Sequence, residues 1–354
     1  MKRILSIFVV FSLVFVFQCQ KAKKDSLLGL AALALGGIGS AGSAPPAGNH
    51  CGGSPSAYPN PVLQTGAGAI PGYTPEVNED SGCQMGMARS YTDNGNGTIT
   101  DNVTKLVWNK CSQGLSGSNC DSGSPTSYTW ANAQTACTGG TRLPTIEELE
   151  TLIDYSKRNP VIDSTAFPNA MSSYYWSSMP YAGDSTTVWN SDFGVGLVFY
   201  TVKTDTIYVR CVSGPVIIVV APRFTDNSDG TVKDNNTGLL WQKCSNGQSG
   251  NDCSSGSPIA QTWANALSYC NGLNLMGKAW RLPSINELKS ILNRNTYNPA
   301  IDSVVFPNTV LGVYWGSTTD LSISSSAWSV FFSDGGVAGM GKVSTGYVRC
   351  VSGP

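Results

Sequence analysis

The chain has 354 residues, with 22 Lys and Arg against 23 Asp and Glu and a formal net charge of −1 at pH 7. Only 13% of its residues are charged, well below the average for soluble proteins, so no cationic excess is available to displace counterions from nucleic acid. Its single histidine, His50, excludes multi-histidine metal sites and any catalytic triad that is not built on His50.

The N-terminus has the pattern of an export signal. Lys2 and Arg3 precede an apolar run over 4–17, which is too short to span a bilayer. Cys19 follows, at a place that resembles the lipidation site of bacterial lipoproteins; the alternative is an ordinary secretory peptide in which Cys19 has no role. We expect residues 1–18 to be a signal peptide and Cys19 to anchor the protein in the bacterial cell envelope, at the outer membrane or cell surface. Without an anchor the protein would be secreted.

Residues 19–86 are predicted to contain the lipid-anchor region and a flexible tether. From about residue 39 to residue 82 the sequence is dominated by Gly, Pro, Ser, Ala and Asn. Such a composition buries too little apolar surface to offset the entropy lost on ordering. We therefore expect this segment to hold the folded part of the protein away from a membrane surface.

The remainder of the chain is one sequence present twice. Residues 91–102 recur at 224–235, an offset of 133 residues, and from Arg142 and Arg281 onward the offset is 139. A period of this length indicates a domain duplication. We predict module 1 at 87–215 and module 2 at 216–354. Residues shared by both copies are expected to serve the fold, whereas residues present in one copy only are free or specialised.

Each module is predicted to begin with a β-hairpin, which in module 1 comprises 91–93 and 98–100 around a Gly/Asn turn. A strand at 106–108 and a helix at 129–137 follow. Short strands rich in Trp, Tyr, Phe and Val occupy the last third of the module. The β-branched run at 216–220 is interpreted as the opening strand of module 2.

A second helix is predicted after the Arg142-Leu-Pro motif. Thr145 and Glu148 have the spacing of a capping box, and Ser284 and Glu287 repeat it. We interpret Glu147, Glu148 and Glu150 as the cap and a solvated face of this helix. The predicted fold class is α+β, with two helices and a twisted antiparallel sheet in each module.

The cysteines are predicted to form disulfides, which export permits. The gap between Cys111 and Cys120 suits a local link, and Cys137–Cys211 would then join the first helix to the last strand. Zinc is the alternative, although the spacings lack the usual C-x₂-C clusters. The five predicted pairs are Cys111–Cys120, Cys137–Cys211, Cys244–Cys253, Cys270–Cys350 and, within the tether, Cys51–Cys83.

Several motifs occur in the same order in both copies and resemble the Lcl C-terminal domain family, found on bacterial surface proteins. They include Phe224-Thr-Asp-Asn, Trp263-Ala-Asn-Ala, Arg281-Leu-Pro-Ser and Tyr347-Val-Arg-Cys-Val. The resemblance implies two C-type-lectin-like modules, akin to the formylglycine-generating enzyme domain, with a disulfide from first helix to last strand. It also implies surface adhesion, or glycosaminoglycan and matrix binding.

Calcium is the one cofactor that the sequence suggests. Asp93 and Asp226, with Asp101 and Asp234 further on, have some likeness to calcium loops but not the standard ligand order. The alternative is a plain hairpin turn, which Asn, Asp and Gly favour. We predict no cofactor, with calcium as the alternative.

Lectin and enzyme chemistry are weakly indicated. The Trp189-Asn-Ser-Asp192 segment approaches a calcium-lectin sugar motif, but the second copy lacks it. An oxidase would need reactive thiols, whereas these cysteines occupy structural positions. We therefore predict that the protein is not an enzyme.

The tryptophans that recur in both copies are expected in the core. Tyr181 and Asp184 lie in a loop that varies between the copies, so they are the candidate ligand contacts; the alternative is an ordinary exposed loop. The predicted function is non-catalytic binding of host, matrix or glycan macromolecules at the cell surface, with no nucleic acid partner. A structural envelope lipoprotein without a soluble ligand is the competing hypothesis, and a formylglycine-generating-type enzyme is the third.

Overall fold

The computed structural model describes residues 62–66, 74–76, 79–215 and 221–353. The predicted signal peptide, the lipidation site Cys19 and the predicted strand at 216–220 lie outside these ranges. Among the helices in these ranges, none has the length and apolar character needed to cross a membrane.

Module 1 is preceded by one short helix, α1 (Asp80–Cys83). The module itself contains two helices and eleven strands, which in chain order are β1 (Tyr91–Asp93), β2 (Thr98–Asp101), β3 (Val107–Asn109), β4 (Leu115–Ser116), β5 (Ser122–Gly123), β6 (Ser127–Tyr128), α2 (Trp130–Ala136), α3 (Ile146–Thr151), β7 (Tyr174–Pro180), β8 (Thr187–Asp192), β9 (Val198–Val202), β10 (Ile207–Tyr208) and β11 (Val212–Ser213).

Module 2 has the same order, except that its described part lacks strands equivalent to β6 and β10 and has one more strand, at Trp280–Arg281, between its two helices. Its described elements are β12 (Phe224–Asp226), β13 (Thr231–Asp234), β14 (Leu240–Gln242), β15 (Gln248–Ser249), β16 (Ser255–Gly256), α4 (Trp263–Gly272), β17 (Trp280–Arg281), α5 (Ile285–Ser290), β18 (Val313–Asp320), β19 (Ile323–Phe331), β20 (Val337–Gly341) and β21 (Val351–Ser352). The predicted α+β class with two tandem modules is confirmed, and the C-type-lectin-like assignment stays a prediction.

The opening hairpin and the capping boxes form as their sequences indicate. Strands β1 and β2 pair antiparallel, with Tyr91 opposite Asp101. In α3, Thr145 Oγ1 accepts a hydrogen bond from the Glu148 N–H, and the Glu148 carboxylate accepts one from the Thr145 N–H. Arg142 holds the same carboxylate with two hydrogen bonds of 2.6 Å. Ser284, Glu287 and Arg281 repeat this arrangement in α5, which gives the Arg-Leu-Pro motif a structural role.

The two modules share one large sheet. Each has a small sheet of its own, β1-β2-β3-β11 in module 1 and β12-β13-β14-β21-β17 in module 2. The third sheet has eight strands in the order β18-β19-β20-β9-β8-β7-β10-β6. Its two halves meet where β9 pairs antiparallel with β20 through Val198 and Val337, which are equivalent residues of the two copies.

The apolar core follows the same division. Each module has an apolar cluster made only of its own residues, which lies beneath its first helix. This cluster includes Trp176 in module 1 and Trp315 in module 2. The largest cluster draws residues from both modules, among them Leu149 and Trp328. The recurring tryptophans are buried as expected, except that Trp130 is half-buried. The modules therefore form a single packed body.

The structure contains the four predicted disulfides of the modules. Cys137–Cys211 and Cys270–Cys350 join the first helix of each module to the residue directly before its last strand, β11 or β21. Cys111–Cys120 and Cys244–Cys253 close short loops. Cys83 is also disulfide-bonded; its predicted partner, Cys51, lies outside the described residues.

Two expectations from the sequence are wrong. Glu148 and Glu150 do not lie on a solvated helix face, since both are buried in ion pairs. The end of the predicted flexible tether is also packed: Thr65, Glu79 and Asp80 are at most 1% exposed. Glu148 is buried by its pair with Arg142 in the same module. Glu150, Glu79 and Asp80 are buried by contacts with module 2, which the local sequence does not reveal.

Candidate functional site

The interface between the modules has an approximate two-fold arrangement. Besides the Val198–Val337 pair, Glu150 meets Lys289, its own equivalent, with 3.5 Å between carboxylate and ammonium. Other contacts occur in both directions. Tyr155 packs against Trp328 at 4.8 Å between ring centroids, and Arg294, the equivalent of Tyr155, lies 5.2 Å from the ring of Trp189. Reciprocal contacts of this kind characterise isologous interfaces.

A buried group of charges holds the centre of this interface. Arg294 of module 2 binds Glu150 of module 1 through hydrogen bonds of 2.8 and 3.1 Å. Burial works against ionisation of Glu150, but Arg294 and Lys289 outweigh it and lower the pKa of the carboxyl. Burial lowers the pKa of Lys289 to about 8, with Glu150 acting in the opposite direction. The two modules are thus joined by charges that neither module balances alone.

The two flanks of the interface differ in chemistry although they occupy equivalent positions. On one flank Arg158 of module 1 binds Asp320 of module 2 at 2.6 Å. On the other, the equivalents of these residues are Tyr297 and Tyr181, whose ring centroids are 6.3 Å apart. We call the first flank the ionic junction and the second the tyrosine junction.

Three tyrosines form a cluster at the tyrosine junction. The rings of Tyr181 and Tyr200 are stacked 3.9 Å apart with an interplanar angle of 2°. Both meet the buried ring of Trp189 edge-on, at 5.5 and 5.4 Å. Tyr297 joins the cluster from module 2 and is 48% exposed, while Tyr181 and Tyr200 are half-buried. The cluster therefore presents an aromatic surface to solvent on a rigid base.

The surroundings of Tyr181 have two further features. Its ring packs against Gly183, where a Cβ atom would lie 2.6 Å from the ring. Burial, together with Tyr200 and the charge of Asp334, raises the pKa of Tyr181 to about 12. A tyrosine hydroxyl is neutral at physiological pH even without this shift, so Tyr181 can donate as well as accept a hydrogen bond.

Asp184, the second candidate contact, lies in the exposed turn that carries Tyr181. Its carboxylate accepts hydrogen bonds from the Thr186 N–H at 2.8 Å and from the Thr186 hydroxyl at 2.7 Å, and these bonds lower its pKa. Asp184 thus shapes the turn and adds negative charge beside the cluster.

Tyr200 and Tyr297 were not among the contact residues predicted from the sequence. The criterion that selected Tyr181 would also have found them, because their equivalents in the other copy are Gly339 and Arg158. What the sequence could not reveal is that these three positions, from two modules, meet at one junction.

The residues weighed for calcium form turns. Asp93 accepts a hydrogen bond from the Gly95 N–H at 3.0 Å and pairs with Lys110 at 2.8 Å, and Asp226 pairs with Lys243 at 2.7 Å. Within residues 62–66, 74–76, 79–215 and 221–353, no group of three or more His, Cys, Asp or Glu could hold a metal ion.

The segment that approaches a lectin motif is inaccessible. Residues 189–192 form the end of β8, and each is at most 8% exposed. Asp192 accepts a hydrogen bond from the Gly194 N–H at 2.7 Å. A sugar in solvent cannot reach these side chains.

Comparison with known families assigns the repeated sequence. The Lcl C-terminal domain matches residues 97–213 and, a second time, residues 230–352. The two matched stretches are equivalent under the offsets of 133 and 139 residues and fall within the two modules. No curated protein matches the chain. Because the family covers more than half of the sequence, and does so twice in tandem, the chain belongs to the Lcl C-terminal domain family.

Proposed function

We propose that this protein is a non-catalytic binding protein of the bacterial cell envelope, and that the tyrosine cluster contacts an extracellular macromolecule. The observation that carries the proposal is the difference between the flanks. Arg158 and Asp320 close one junction with an ion pair, so the fold does not require tyrosines at the equivalent positions. Aromatic residues at positions where the fold does not require them are available to bind a ligand.

The physical character of the cluster supports this role. Tyrosine offers a large, rigid contact surface with a polar tip and loses little conformational entropy on binding. The stacking of Tyr181 on Tyr200 and the support from Trp189 hold the rings in place before a ligand arrives. A preorganised surface of this kind binds more tightly than a flexible one.

The charges near the cluster narrow the choice of ligand. Asp184 lies in the loop of Tyr181, and the charge of Asp334 acts on the Tyr181 hydroxyl. Lys203, which donates to the Ser185 carbonyl of the same loop at 2.7 Å, offsets only one of these two acidic charges. The chain as a whole has a net charge of −1. These charges favour a neutral or cationic ligand over a sulfated polysaccharide.

The absence of catalysis is part of the proposal. All eight cysteines of the modules are in disulfides, so they supply no thiolate nucleophile. Glu148 and Glu150 are occupied by arginine partners, which disfavours a role as proton donor. Attachment through a lipid on Cys19 would hold the binding surface at the cell envelope.

The test is a screen of the mature protein on an array of matrix proteins and glycans. Tyr181→Ala and Tyr297→Ala should each weaken a detected interaction at least about tenfold, as expected for a hot spot. Tyr174→Ala is the matched control, because Tyr174 is 41% exposed and packs on Phe199 outside the cluster. Silence of the native protein would favour the structural envelope role, and a free thiol in a folded module would favour the enzyme.

A further inference from the structure

We propose that the tyrosine junction accepts an extended segment of another polypeptide, as the ionic junction holds part of this chain. The inference rests on the proposed function and narrows the ligand from a macromolecule to a peptide segment. Its basis is the strap, by which we mean residues 62–66 and 79–87. The strap lies against both modules along the ionic junction.

On module 2, the strap is held by polar side chains. The Asn286 side-chain amide donates hydrogen bonds to the carbonyl oxygens of Leu63 and Gln64 at 3.0 and 3.3 Å. The Thr318 hydroxyl donates to the Asp80 carboxylate at 2.8 Å, and the neighbouring Thr319 donates to Glu79.

On module 1, the strap is held through its backbone. The Tyr155 N–H donates to the Thr65 carbonyl at 2.8 Å. Arg89 donates to the Gln64 carbonyl at 2.6 Å and also to carbonyls of module 1. The first part of the strap pairs with its second part, where Leu63 forms a parallel bridge with Met87. The ionic junction thus binds the 62–66 part of the strap as extended backbone, whereas residues 80–83 of the strap form the short helix α1.

The two-fold arrangement places an equivalent surface at the tyrosine junction. The equivalents of the residues that hold the strap are Glu147 for Asn286, Met179 for Thr318, Pro180 for Thr319 and Arg294 for Tyr155. Tyr181 stands for Asp320 and borders this surface. Of these residues, Glu147 and Pro180 are exposed and Met179 is half-buried, whereas Arg294 is buried. The second surface is therefore partly accessible among the residues that the structure describes.

The side chains that differ between the two junctions indicate which ligand the second surface binds. The two threonine hydroxyls that bind the acidic pair Glu79 and Asp80 are replaced by Met179 and Pro180, so an acidic segment loses its donors. Glu147, whose side chain is 46% exposed, replaces an amide donor by an acceptor suited to backbone N–H groups. Aromatic surfaces of this kind recognise extended or polyproline-type segments with apolar side chains. The expected occupant is an extended segment rich in apolar residues or proline and poor in acidic residues.

The experiment uses the mature protein and two probes in parallel, a displayed library of short random peptides and an array of neutral and sulfated oligosaccharides. We expect extended, apolar or proline-bearing peptides to be selected. Their affinity should fall at least about tenfold in Tyr181→Ala and in Tyr297→Ala, and stay within about twofold in the control Tyr174→Ala. The melting temperature of each variant shows whether it is folded.

Three results would overturn the inference, and they can be distinguished from one another. If oligosaccharides bind in a way that depends on Tyr181 while no peptide is selected, the peptide assignment fails and the proposed binding function stands. If selected peptides bind equally to the native protein and to both cluster variants, they occupy another surface and the inference fails. If neither probe binds the folded protein, the inference fails together with the proposed contact surface.

Discussion

At the scale of single residues, the interface depends on Glu150. Its carboxylate is 7% exposed and contacts both Arg294 and Lys289, which are likewise buried. Removing one member of such a group leaves the others without compensation in a poorly solvated site, and this is far more costly than loss of a surface ion pair.

We predict that Glu150→Ala lowers the free energy of unfolding by about 3–5 kcal/mol, because it leaves the buried Lys289 without its carboxylate and leaves Arg294 only the 3.7 Å contact with Glu147. Glu147→Ala is the comparison on the same helix. Glu147 also lies 3.7 Å from Arg294, but its side chain is 46% exposed, and Arg294 keeps both hydrogen bonds to Glu150 in this variant, so the change should cost clearly less than Glu150→Ala. Urea titration of both variants measures the difference. Equal effects would contradict the central role given to Glu150.

Asp80 should make the strap sensitive to pH. Burial raises its pKa to about 6, with the Thr65 and Thr318 hydroxyls acting in the opposite direction. The folded state binds a proton on the Asp80 carboxyl more tightly than the unfolded chain does. The contribution of this proton to the free energy of unfolding is therefore fully present below pH 4 and is lost as the pH rises through about 6. The loss should amount to about 3 kcal/mol.

The measurement is the melting temperature at pH 4 and pH 7 for the native protein and for Asp80→Asn. Asp80→Asn has no ionisable group at position 80. It should therefore be more stable than the native protein at pH 7, and its melting temperature should fall less between pH 4 and pH 7. Asp93→Asn, at an exposed turn, serves as control. An identical pH dependence for native protein and Asp80→Asn would refute the assignment.

These residues also mark the limit of inference from sequence. The role of Glu148 in the capping box follows from Thr145, three residues away, and could be predicted. Glu150 lies in the same acidic run, but its partner Arg294 is 144 residues distant. Nothing local distinguishes a solvated glutamate from one that meets an arginine of another module.

At the scale of elements, the disulfides are the strongest local constraint. Loss of Cys137–Cys211 by double replacement with Ser should cost about 4 kcal/mol, because the bond closes a loop with a sequence separation of 74. Loss of Cys111–Cys120, with a separation of 9, should cost about 2–3 kcal/mol in the same chain-entropy treatment. Denaturant unfolding of both double variants compares them, and a larger loss for the short loop would contradict this ranking.

The elements that could be predicted are those set by neighbours in sequence or by repetition. The opening hairpin follows from its turn, and the second helix of each module from its capping box. The strap could not be predicted, because the tether composition as a whole indicates disorder, while its docking depends on a few residues such as Thr65 and Asp80. Thr65 donates to Asp80 within the strap, whereas Thr318, which donates to Asp80, and Thr319, which donates to Glu79, lie in module 2.

At the scale of the whole molecule, duplication predicted two modules but not how they meet. Sequence identity between the copies is silent on the pairing of β9 with β20 and on the shared core. The tyrosine cluster follows from that pairing, since Tyr297 reaches Tyr181 only when the modules are packed together. The binding surface is thus a property of the pair.

Calorimetric unfolding of the mature protein tests this account most directly. Because one apolar cluster and one charged group span the two modules, we predict a single transition whose calorimetric and van't Hoff enthalpies agree. Glu150→Ala should lower its midpoint or divide it into two. Two independent transitions in the native protein, both unaffected by Glu150→Ala, would show that the modules are separate bodies and that the tyrosine junction is not a fixed surface.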